Sequence, residues 1–227
     1  MTADSPEPNP PELNPGAPWI EAAGTALLTM TIFGSGIMAT NLGAGDALVL
    51  LVVSAATGAM LCVLITLLGP VSGGHINPAI TLTSAMAGAI SWRRAAVFAA
   101  AQLAGALAGM ILTHALFDQP LAQLGQVARS GPHLWLSEGL ATFGLIALAV
   151  LGSHHRPAQV PALVGLYVFA GFWFWSSTGF ENPAVTVARA LTASGAGIRP
   201  VDAPAYILAQ FAGAALAVVV LRRTLWR

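Results

Sequence analysis

The tripeptide Asn-Pro-Ala occurs twice in this chain, at Asn77-Pro78-Ala79 and at Asn182-Pro183-Ala184. Asparagine is a favoured helix N-cap, and proline suits the first helical position, where no amide hydrogen is needed. Each copy therefore reads as the start of a helix. The runs that follow, 80–88 and 185–191, are too short to cross a bilayer. A helix N-terminus carries about half a positive charge on its unpaired N–H groups. Two such ends brought face to face would repel any cation, a proton hopping along water included. If each Asn side-chain oxygen caps its own helix, its amide nitrogen is left to donate to a passing water or hydroxyl. The chemistry implied is selection by hydrogen bonds and dipoles, without bond-making.

Other residues could act near such a site. Glu21 and Glu138 lie within apolar stretches, where an unpaired charge is expensive. They could transfer protons, or accept hydrogen bonds from the backbone of the irregular loop in their half. His75, beside the first Asn, reads as a hydrogen-bonding post for that loop rather than as a base. Glu181 and Arg189 flank the second half-helix start and could form an ion pair or face a vestibule separately. His154-His155 sits in a short polar turn. The one cysteine, Cys62, excludes an internal disulfide and a Cys-based metal site. No Ser-His-Asp arrangement, metal cluster or phosphate loop is visible, so neither an enzyme nor a resident cofactor is expected.

The elements that must position these residues follow from composition. Of 227 residues, 56% are apolar and only 8% charged, with mean hydropathy +0.74, which points to a polytopic all-α membrane protein. Net charge is zero and no basic block exists to attract nucleic acid. Residues 1–17 form a proline-rich tail expected to be disordered, with no basic n-region of a cleavable signal, ahead of one domain over 18–227. Spans of bilayer-crossing length are expected at 19–40, 46–68, 92–116, 134–152, 158–177 and 203–221, with half-helices at 77–88 and 182–191. Trp92, Arg93 and Arg94 anchor the third span at the interface.

The halves, about 18–116 and 134–223, repeat. Glu21-x-x-x-Thr25 recurs as Glu138-x-x-x-Thr142, and the run Ala101-Gln102-Leu103-Ala104-Gly105-Ala106 recurs as Ala209-Gln210-Phe211-Ala212-Gly213-Ala214. An odd number of spans per half inverts the second copy, so a half-helix dips in from each side. With both termini cytoplasmic, Arg93, Arg94, Arg156, Arg222, Arg223 and Arg227 lie inside and Arg129 and Arg199 outside, as the positive-inside rule asks. Gly105-x-x-x-Gly109 and Gly213-x-x-x-Ala217 permit close helix packing in lipid.

The doubled Asn-Pro-Ala, the stretch Ser72-Gly73-Gly74-His75-Ile76-Asn77-Pro78-Ala79-Ile80-Thr81 and the Glu-x-x-x-Thr pair resemble the aquaporin and glycerol-facilitator (major intrinsic protein) family. The resemblance implies six tilted helices and two re-entrant half-helices around one pore per subunit. It also implies a homotetramer in the inner (plasma) membrane, and loop support as the role of both glutamates. The family's narrowest point normally carries an Arg directly after the second Asn-Pro-Ala; here that residue is Val185. By the same resemblance the constriction would be lined by Thr57, by Gly171 or Phe172, by Phe180 and by Val185. Such a wide, arginine-free filter implies passive passage of water and small uncharged solutes, lipid being the other partner. Glycerol-like polyols and hydroxylated metalloids such as arsenous or methylated arsenic acids are the candidates. A water-selective pore and a coupled secondary transporter are the alternatives, the latter needing titratable groups at the midplane.

Overall fold

The computed structural model describes residues 15–225, with side chains to 222. Most of the expected N-terminal tail, the Arg223 side chain and Arg227 lie outside the described residues. The described secondary structure is helical: α1 (Ala17–Asn41), α2 (Asp46–Ser72), α3 (Pro78–Met86), α4 (Trp92–Leu116), α5 (Pro132–His155), a 3-10 turn at Pro157–Gln159, α6 (Val160–Phe174), α7 (Pro183–Arg189) and α8 (Ala203–Leu225). Six of these helices are long and apolar enough to cross a membrane. The other two, α3 with 9 residues and α7 with 7, are not. The architecture is the six spans and two half-helices expected from the sequence.

Side chains are distributed as hydrocarbon surroundings require. Leu48, Leu67, Leu112, Leu166, Leu208 and Leu216 are exposed, while Glu21, Gln102, Glu138 and Gln210 are fully buried. With no water outside to solvate them, polar groups must find partners within the bundle.

Each half builds the same unit. α1 packs against α2 and α4, α5 packs against α6 and α8, and α2 meets α6 where the halves join. Small residues set the closeness of these contacts. Gly105 and Gly109 of α4 lie so near the backbone of Ala22 and Ala26 in α1 that a methyl group would overlap it. Gly213 of α8 meets Gly139 of α5 in the same way, and Gly58 of α2 faces Gly165 of α6. The half-helices exchange neighbours: α3 touches α4 and α8, and α7 touches α8 and α4.

Several boundaries differ from the sequence reading: α5 runs on to His155, so that His154 and His155, expected in a polar turn, close the helix, and the turn begins at Arg156. α2 runs on through Pro70 to Ser72, where Gly73 ends it with φ 95 and donates its N–H to the Gly69 carbonyl. α6 stops at Phe174, short of the expected 177, because Trp175 is extended and Thr178 takes φ 64, which no helix accommodates. The loop between α4 and α5 crosses the end of α7. Gln123 N and Gly125 N donate to the Leu191 and Ala190 carbonyls at 3.1 and 2.9 Å, which satisfies groups the short helix leaves open.

Candidate functional site

The residue before each Asn-Pro-Ala asparagine is left-handed, Ile76 at φ 43 and Glu181 at φ 55. Such a conformation costs a non-glycine residue on the order of 1–3 kcal/mol and persists only where its surroundings impose it. A buried carboxyl imposes it in each half. Glu21 accepts from the backbone N–H groups of His75 and Ile76, from the Ser72 hydroxyl at 2.6 Å and from Gln102 Nε2 at 2.8 Å. Glu138 accepts from Phe180 N at 3.2 Å, Glu181 N at 2.6 Å and Gln210 Nε2 at 2.8 Å. Each Gln also donates to a hydroxyl on its half-helix, Thr81 or Thr186. The hydroxyls of Thr25 and Thr142 turn back onto the carbonyls of Glu21 and Glu138. All four oxygens of the two glutamates are engaged by the protein, an arrangement that supports loops and leaves no vacant proton-relay position.

The asparagines join the halves. Asn77 Oδ1 accepts from Ala79 N at 2.8 Å, and Asn182 Oδ1 from Ala184 N and Val185 N at 3.1 and 3.3 Å. Asn77 Nδ2 then donates across the interface to the Glu181 carbonyl at 2.7 Å, and Asn182 Nδ2 to the Ile76 carbonyl at 2.9 Å. The reading that leaves the amide nitrogen to the lumen is thereby refined. A side-chain amide has two hydrogens, so one ties the opposite loop and the other remains for whatever passes.

A cavity of about 340 Å³ runs past both asparagines, from Ala87, Ser153 and His154 at one end to Phe172, Val185 and Arg189 at the other. Thr57, Phe172, Phe180 and Val185 line it; Gly171 does not. Gly171 lies behind the wall, where an added Cβ would stand 3.2 Å from Trp175 and 3.6 Å from a Glu181 carboxyl oxygen. The Thr57 hydroxyl is turned back onto the Val53 carbonyl at 2.7 Å. His75, also at the cavity, contacts Thr81 Oγ1 at 3.1 Å through Nδ1 and Ser84 Oγ at 3.3 Å through Nε2. Among the described residues no group of three or more His, Cys, Asp or Glu could hold a metal ion.

The expectation of an arginine-free wall needs correction. Position 185 carries no cation, but Arg189 lines the same cavity, because residues four apart share one helix face. It is buried, donates to the Ala196 carbonyl at 3.1 Å and lays its guanidinium 3.8 Å from the centre of the Phe180 ring. Arg129 approaches the same ring at 4.9 Å. Arg189 and Glu181 do not pair: among the described residues the ion pair found is Arg199–Asp202. The role of Gln102 and Gln210 was missed from sequence, although their recurrence in the doubled Ala-Gln-x-Ala-Gly-Ala run was the available signal.

A family profile described as Major intrinsic protein matches residues 16–174. The chain is 48% identical over 202 residues to aquaglyceroporin AqpS of Rhizobium meliloti (strain 1021), covering 89% of this chain and 87% of that protein. It is 31% identical over 187 residues to the glycerol uptake facilitator protein of Bacillus subtilis (strain 168), covering 73% of this chain and 67% of that one. Among solved structures, the aquaglyceroporin from Plasmodium falciparum superposes with a TM-score of 0.72 at 17% identity, over 92% of this chain and 95% of that one. That last likeness is one of fold.

Proposed function

The chain belongs to the major intrinsic protein family, and from that premise we propose a passive pore wide enough for small uncharged solutes larger than water. It is a multi-pass membrane channel for water and small solutes such as glycerol, not an enzyme. The finer reading is passage of polyols and of hydroxylated metalloids such as arsenous and methylated arsenic acids. The observation that carries it is the cavity running past Asn77 and Asn182 with valine, not arginine, at position 185. Losing a guanidinium from that position removes donors that favour water and shortens the side chain, which suits wider solutes.

Two half-helix N-termini tied together by the crossed asparagine bonds keep their positive ends directed at the cavity and oppose cations. Coupled transport is the weaker reading, since Glu21 and Glu138 have complete sets of protein partners. One channel domain spans 18–227 in this reading, with both termini cytoplasmic and four copies forming a tetramer. Swelling of vesicles carrying the purified protein tests it: glycerol and arsenous acid enter faster than in protein-free vesicles. Water flux without uptake of either solute would leave a water-selective pore instead.

A further inference from the structure

Arg189 is a cation in the cavity wall with no carboxylate bonded to it. Its residue is 2% exposed and lines the end of the cavity formed by Phe172, Phe180 and Val185. Nη1 donates to the Ala196 carbonyl at 3.1 Å, and the guanidinium stands 3.8 Å from the centre of the Phe180 ring. Neither Nε nor Nη2 has an acceptor among the described residues. Nε is sealed within the protein, whereas Nη2 is not, so Nη2 is the donor that the cavity reaches.

The helix explains the direction. Side chains lean towards the N-terminus of their helix, so Arg189 reaches back over the turn that begins at Val185. Val185 and Phe172, on the same wall, have no side-chain acceptor to offer. The carboxylates are held elsewhere. Among the described residues the ion pair found is Arg199–Asp202. Glu138 is occupied by Phe180 N, Glu181 N and Gln210 Nε2, and the Glu181 carboxyl is sealed beside Gly171 and Gly179. Arg129, the second cation on the Phe180 ring, donates to the Gly197 and Ser177 carbonyls and the Thr178 hydroxyl, all neutral. A buried cation with an open donor is best satisfied by an anionic oxygen, because such bonds are shorter and stronger than neutral ones.

We propose that this end of the cavity is an anion-docking site: Arg189 Nη2 donates to an oxygen of a small oxyanion, the conjugate base of a carboxylic, sulfonic or similar oxyacid. The apolar part of the ion rests against Phe172 and Val185, and the cavity of about 340 Å³ limits its size. A hydroxyl oxygen of glycerol uses the same donor more weakly, so a docked ion competes with it. This inference rests on the channel reading above and adds a ligand that occupies the pore.

Liposomes carrying the full chain test it by stopped-flow light scattering under a glycerol gradient, with sodium methanesulfonate or sodium chloride equal on both sides. Methanesulfonate stays ionised at any working pH and is close to glycerol in size. In the wild type it slows glycerol entry about threefold relative to chloride, and the effect saturates. Arg189→Met, similar in length but uncharged, abolishes the slowing. Arg189→Lys keeps the charge without the second terminal nitrogen and retains part of it. A Met variant slowed as much as wild type overturns the proposal. Should the Met variant fail to assemble, the Lys variant decides: weaker slowing supports docking at Nη2, and equal slowing overturns it. Wild-type glycerol entry indifferent to methanesulfonate overturns docking and leaves the channel standing. Wild-type vesicles impermeable to glycerol would overturn the channel reading and the docking proposal with it.

Discussion

Glu138 accepts three protein hydrogen bonds in the bundle interior, and Gln210 supplies one of them. Gln210→Leu removes that donor and also the hydrogen bond that the Thr186 hydroxyl accepts, leaving that hydroxyl only its own donation to the Asn182 carbonyl. The expected cost is about 1–3 kcal/mol, read as a lowered Tm of the detergent-solubilised protein, and Gln102→Leu acts alike in the other half. At the wall of the cavity, Val185→Arg sets a second guanidinium one turn from Arg189, both on the same face. Glycerol flux is expected to fall about tenfold, or about 1.4 kcal/mol, with a smaller effect on water. Unchanged glycerol uptake would mean that position 185 does not limit passage.

At the level of elements, the short helices owe their stability to their ends. α7 has only 7 residues, too few to persist alone in water. Its N-terminus is capped by Asn182 through two amides and its C-terminal carbonyls by the loop at Gln123 and Gly125. Asn182→Ala removes the cap and the cross-tie to Ile76 together. It should lower Tm more than Ser91→Ala, an exposed cap that accepts only Arg94 N and whose loss costs about 1 kcal/mol. Helix contacts have a comparable test. Gly105→Val forces a side chain into the α1 backbone at Ala22, whereas Gly195→Ala meets nothing within 4 Å. Overpacking costs about 1–3 kcal/mol or more, so the Val variant gives low yield and an early Tm while Gly195→Ala behaves as wild type.

Across the whole molecule, the end holding Arg129 and Arg199 is organised by Asp202. That carboxylate accepts from Arg199 Nε at 2.8 Å and from Arg129 N at 2.9 Å, which places Arg129 beside Phe180. The hydrogen bond from Arg199 holds the Asp202 carboxyl below the usual carboxylate range. A group depressed in the folded state contributes stability above its unfolded value, about 3.9, and loses it as pH falls through the lower folded value. The protection factor of the Arg129 amide, its exchange rate relative to the intrinsic rate at each pH, should therefore fall in acid, and Asp202→Asn should remove that pH dependence. An Asn variant with an undiminished acid response would assign the effect to another group.

Much of this protein was legible in one dimension because its governing rules are local or repeated. Capping by Asn and Pro, the length of apolar spans and the doubled Glu-x-x-x-Thr require only nearby residues or their recurrence, and they determined six spans, two half-helices and the inverted halves. What the fold alone decided depends on contacts between the halves. Asn77 and Glu181 meet from 104 positions apart, and no local pattern says that one amide hydrogen crosses to the other loop. The left-handed turn at Glu181 turns its N–H to Glu138 and its carbonyl to Asn77, and the end of α6 puts Phe172 in front of the wall and Gly171 behind it. Direction of a side chain into a pore is a property of backbone orientation in three dimensions, which spacing along the chain does not carry.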